Sequence, residues 1–84
     1  MFNILRRRPT VTYDIQPSAD GWRVVCNDVV GPPFSRRSDA IQDTLSIAAR
    51  LEIGGEIVCV RLLELDGPRK VWRELQLRDA RLYR

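Results

Sequence analysis

Apolar and polar residues change their period several times along the chain, and each change marks an element. Val11, Tyr13 and Ile15 alternate with Thr12 and Asp14, the two-residue rhythm of a half-buried strand. Pro17-Ser-Ala-Asp-Gly21 follows as a turn, because glycine tolerates positive φ and aspartate bonds its own backbone. Trp22, Val24 and Cys26 share one face of a second strand, which predicts an antiparallel hairpin with the first. Gly31-Pro32-Pro33 closes this region, since proline cannot donate to a ladder. The spacing then lengthens to three and four. Ala40, Ile41, Thr44, Leu45, Ala48 and Leu51 form one apolar stripe of a helix, while Asp39, Gln42, Asp43, Ser46 and Arg50 face elsewhere. Gly54-Gly55 supplies the helix stop. The β-branched start and length of Glu56–Leu65, after Gly-Gly, predict a third strand, Asp66-Gly67-Pro68-Arg69 a turn, and Lys70–Leu77 a last strand. Residues 78–84 fit strand, helix or coil equally, with Leu75, Asp79 and Leu82 marking one face of a short helix.

The resulting order, β-β-α-β-β, is an α+β fold: an antiparallel sheet with one helix packed on one face. Two hairpins joined through the helix are the economical topology, with the strand order left open. Residues 1–9 read as a basic leader, expected to be flexible, and residues 10–84 as a single domain. The third strand is apolar at both parities, at Val58, Val60 and Leu62 and at Ile57, Cys59, Leu63 and Leu65, broken by Arg61. One helix covers only one face, and a strand apolar on both faces is usually buried on both. A homodimer is one expected cover, with Val58, Val60 and Leu62 as the candidate oligomer interface. The chain's own ends are the other.

The series Trp22-Arg-Val24, then Phe34-x-x-Arg37-x-Asp39-Ala40, then Gly54-Gly55-Glu56-Ile57-Val58 resembles a family of short bacterial domains of unknown function. Its members read Trp-x-Val, then Phe-x-Thr-Lys-x-Glu-Ala opening a helix, then Gly-Gly-Glu-hydrophobic-Val in a strand. The resemblance spans roughly residues 11–65. It implies the same strand-helix-strand scaffold and brings no activity, cofactor or catalytic residue. Arg36 stands where the family has its threonine, the residue that would cap the helix, and the segment 66–84 runs beyond the family's short end.

Composition narrows the chemistry. The 84 residues are 44% hydrophobic and 30% charged, an ordinary balance for one folded domain. No apolar run approaches the ~20 residues needed to span a membrane, and MFNILRRR has the reverse order of a secretory signal. A cytoplasmic setting is expected, with Cys26 and Cys59 as reduced, small apolar residues. There is no histidine. The commonest general base is therefore missing, and Cys-His pairs, Ser-His-Asp triads and a standard four-ligand zinc site within one chain are excluded. Gly54-Gly55 follows a helix and precedes a strand, the reverse of a phosphate-binding loop. The expectation is a non-catalytic interaction or oligomerisation domain with no metal and no cofactor.

The charge of +3 comes from 13 arginines and one lysine against 11 acids. It supports nucleic-acid binding only in part. The candidate anion or nucleic-acid residues are Arg6, Arg7, Arg8, Arg36, Arg37, Lys70, Trp72 and Arg73, with Trp72 able to offer a stacking face beside its basic neighbours. Arg36 and Arg37 lie in FSRRSDAIQ, where the helix should begin, and a small anion bound there is a further alternative. Ser38 as the cap would make Asp39 the first helical residue, favourably charged, and leave both arginines outside the helix; that reading is preferred over a Ser35 cap.

Overall fold

The computed structural model describes residues 8–83. Its strands are β1 (Val11–Ser18), β2 (Gly21–Cys26), β3 (Val29–Val30), β4 (Val58–Asp66) and β5 (Arg69–Leu75), and its helix is α1 (Arg37–Ile53). A 3-10 helix, Leu77–Tyr83, follows β5. The fold is α+β, one helix on a five-stranded sheet of order β3-β2-β1-β4-β5. Arg6 and Arg7, and most of the leader, lie outside the described residues; Arg8 is exposed. Among the described residues no helix is long and apolar enough to cross a membrane.

The sheet is mixed rather than antiparallel. β1 and β2 form the expected hairpin, and so do β4 and β5, but β4 lies parallel to β1, with Tyr13 beside Val60 and Ile15 beside Leu62. The crossover through α1 returns the chain to the far side of β1, making β1 the central strand. The first hairpin is also tighter than expected. Ser18 pairs with Gly21, so only Ala19 and Asp20 form the turn, and Pro17 belongs to β1 opposite Trp22. Pro17 is tolerated because the β1–β4 register ends at Ile15, before its missing N–H would be needed. A second two-residue turn, Asn27-Asp28, adds β3; both residues take positive φ, 47° and 72°, as such a hairpin requires.

Along each strand alternate residues point to one face. The face under α1 carries Tyr13 and Ile15, Trp22 and Val24, Val58, Val60 and Leu62, and Leu75. Ile15, Val60, Leu62 and Leu75 are buried there against Ala40, Ile41, Leu45 and Ala48, which with Thr44 form the predicted helical stripe. Val60 and Leu62 are thus buried beneath the helix and Val58 packs half-buried against the same core, so their reading as an oligomer interface is corrected. The tail packs on the same side: Ala80 lies against the core, and the Gln42 amide donates to its carbonyl.

The helix starts earlier than expected. Arg36 occupies the N-cap with extended backbone and no side-chain cap bond, and Arg37 is the first helical residue, so Ser38 is not the cap. At the other end the stop is as the glycine pair predicts. Gly55 at φ +96° lets the Glu56 N–H reach the Leu51 carbonyl and its own N–H reach that of Glu52, the paired bonds that satisfy a helix's last carbonyls.

Candidate functional site

The sheet face opposite α1 is covered by none of these elements. By strand alternation it presents Thr12, Asp14 and Gln16 from β1, Arg23 and Val25 from β2, Cys59, Arg61, Leu63 and Leu65 from β4, and Lys70, Trp72 and Glu74 from β5. Its centre is an ordered polar group. Arg61 donates from Nε to Oδ1 of Asp14 at 2.8 Å and from Nη2 to Oδ2 at 2.9 Å. This is the two-pronged geometry that makes arginine–carboxylate pairs strong and directional. The guanidinium also stacks 4.7 Å from the centroid of the Trp72 ring, within cation–π range. The Asp14 carboxylate raises the already high pKa of Arg61.

Cys59 sits beside this group. Burial, with the negative charge of Glu74 second, pushes its thiol above the ordinary value. Cys26 shares the helix side with Tyr13, its partner across the ladder. The two cysteines therefore lie on opposite faces of the sheet, and both are free thiols.

The register arranges the face in rows across the strands. Asp14, Arg61 and Glu74 are consecutive partners, so charge alternates negative, positive, negative towards the β5 edge. Leu63 and Trp72 form the next row, and Leu65 and Lys70 the one after. On the open face near the β5 edge Leu65 and Trp72 are 66% and 43% exposed, while Val71, 42% exposed, lies on the helix side of β5.

The structure divides the arginine candidates. Lys70 and Trp72 lie together on the open face, but Arg73 points to the helix side, where it pairs with Glu64 at 3.5 Å. Arg37 reaches the same Glu64 at 3.4 Å. One carboxylate thus sits between the start of α1 and β5, and this offsets the positive charge that suggested an anion site there. Arg36 is exposed at the N-cap. Arg23 and Arg69 pair with Asp20 and Asp66. Arg8 precedes β1, Arg36 is the N-cap of α1 and Lys70 lies on β5, each on a different segment of the chain. Arg61, the residue that organises the open face, was visible in the sequence only as an interruption of an apolar strand. Among the described residues there is no group of three or more cysteine and carboxylate side chains that could hold a metal ion.

No family model, curated protein or solved structure matches the chain.

Proposed function

We propose that the protein is a non-catalytic interaction module that self-associates on the β5 side of its sheet. The observation that carries this reading is β5 itself: a seven-residue strand at the sheet's edge whose first six residues are exposed. A strand edge presents a row of backbone donors and acceptors ready to pair with another chain. Beside it on the open face lie the exposed apolar side chains of Leu65 and Trp72. The small size of the domain supports the reading, because 84 residues bury a modest core and gain from a partner. The absence of histidine supports a non-catalytic role, and a cytoplasmic setting would keep Cys26 and Cys59 reduced. The resemblance to short bacterial domains adds a scaffold and no activity, which agrees with it.

Nucleic-acid binding is less well supported, because Arg23, Arg37, Arg61, Arg69 and Arg73 are each held by a carboxylate of the same chain. Sedimentation velocity across a dilution series tests the proposal: the expected result is a dimer that dissociates on dilution. A parallel titration with labelled RNA and DNA at low and raised salt separates the two readings. Salt-sensitive binding by a strictly monomeric chain would replace self-association with nucleic-acid recognition.

A further inference from the structure

The β5 edge also specifies how two copies would meet, an inference that rests on the self-association just proposed. Asp66 and Arg69 flank the two-residue turn Gly67-Pro68 and are the first pair of the β4–β5 ladder. Hydrogen-bonded and non-hydrogen-bonded pairs alternate along an antiparallel ladder. The inward groups are therefore those of Arg69, Val71, Arg73 and Leu75. The N–H and C=O groups of Lys70, Trp72 and Glu74 point outward, away from β4, and the side chains of these same residues lie on the open face.

We propose that a second copy pairs antiparallel along β5, with the two-fold axis passing through Trp72. Only a residue can sit on such an axis, because directly opposed antiparallel residues face the same side of the sheet. The candidates near the middle of the strand are Val71, Trp72 and Arg73. With Trp72 on the axis, Lys70 faces the partner's Glu74, Trp72 faces the partner's Trp72, and Glu74 faces the partner's Lys70. All three pairs have outward backbone groups, so each exchanges two N–H···O=C bonds.

The other registers are worse. Centring on Val71 sets Arg69 against the partner's Arg73, and centring on Arg73 sets two Arg73 side chains directly opposite. Like charges in those positions are destabilising, and each shift leaves one outward pair fewer within the strand. The Trp72 register instead continues the rows already present. The alternation Asp14, Arg61, Glu74 is extended by the positive charge of the partner's Lys70. The apolar row Leu63, Trp72 continues into its own copy. Both helices then lie on one side, and the two open faces become contiguous.

Charge exchange tests this. Lys70→Glu leaves two acidic residues on the open face of β5, and Glu74→Lys leaves two basic ones. Each variant alone should weaken self-association about ten-fold or more, since two attractive cross-strand pairs become repulsive. An equimolar mixture of the two should form a heterodimer, because every acidic position then meets a basic one. Sedimentation velocity of each variant and of the mixture reads this out, with circular dichroism checking the fold. A wild-type dimer that both variants preserve unchanged would overturn the Trp72 register while leaving self-association standing. A wild-type chain that stays monomeric at every concentration would overturn both. Amide exchange on the unaltered chain gives a second readout that needs no variant: the Lys70, Trp72 and Glu74 amides should be protected in concentrated samples and exposed on dilution. Fast exchange at these amides in a sample known to be dimeric would also overturn the register.

Discussion

Replacing Gly21 with alanine should be among the most damaging single-methyl changes available to the chain. Gly21 closes the first hairpin at φ +124°, where a Cβ brings backbone strain of about 1–3 kcal/mol. The added methyl would also stand 2.2 Å from the carbonyl oxygen of Phe34 and 3.2 Å from the Cα of Ser35. Neither neighbour is a flexible side-chain tip. The segment leading into α1 would have to retreat, and that segment is fixed by two backbone bonds, Trp22 N–H to the Phe34 carbonyl and Phe34 N–H to the Trp22 carbonyl, both 2.8 Å. Straining or losing them adds about 1 kcal/mol each. The expected loss is about 3–5 kcal/mol, against a total of about 4–13 kcal/mol for a chain this long. Gly55→Ala is the control. Gly55 also has positive φ, +96°, but a Cβ there meets nothing within 4 Å, so only strain of about 1 kcal/mol remains. Urea unfolding followed by tryptophan fluorescence separates the two. With a slope of about 1 kcal/mol per molar, Gly21→Ala should lower the midpoint by about 3 M or abolish the transition, and Gly55→Ala by about 1 M. A loss below about 1 kcal/mol for Gly21→Ala, or equal losses at both sites, would refute the close approach of Phe34.

Three further outcomes are expected. Leu62→Ala, at a fully buried position under α1, should cost about 2–5 kcal/mol in chemical denaturation; a change under about 1 kcal/mol would return Leu62 to the surface role first expected for it. A double-mutant cycle on Asp14 and Arg61 should give a coupling of about 0.5–1 kcal/mol, limited by side chains that are 23% and 41% exposed, and shrinking with added salt; no coupling, or one indifferent to salt, would contradict the paired geometry. Because folding raises the Cys59 pKa above the ordinary 9.0, its contribution is fully present below that value and is lost as pH rises through the higher folded value. Alkylation of Cys59 in a Cys26→Ser background should therefore reach half its maximal rate above pH 9.0, and a midpoint at or below that value would disprove the effect of burial.

Where structure depends on near neighbours, the sequence is a good guide. The stripe from Ala40 to Ala48 is buried as its spacing implies, Gly54-Gly55 ends the helix, and both main hairpins form. Pairings distant in sequence were harder to see. Nothing in the local period of β4 says that it returns parallel to β1, because period reports which residues share a face and not which strand lies beside it. The helix start does not follow local cap preference either: serine is the better cap, yet Arg36 holds the N-cap without a side-chain cap bond and Arg37 opens the helix, paired with Glu64 of a distant strand. Asn27-Asp28 carried a legible turn signal, two residues tolerant of positive φ between apolar pairs, and β3 follows from it. At the open face the clue was one charge at that parity in each of two strands, Asp14 in β1 and Arg61 in β4. Opposite charges stranded in this way invite a cross-strand pair, and the parallel register supplies it.

The most direct test of self-association through β5 is a sample mixed from isotopically labelled and unlabelled chains, read by filtered magnetic-resonance contacts between molecules. The account predicts intermolecular contacts confined to β5 and its neighbours on the open face, symmetric about Trp72, with Lys70 of one chain near Glu74 of the other. Contacts arising instead from α1 or β3, or no intermolecular contacts at a concentration where the chain is dimeric by mass, would contradict it.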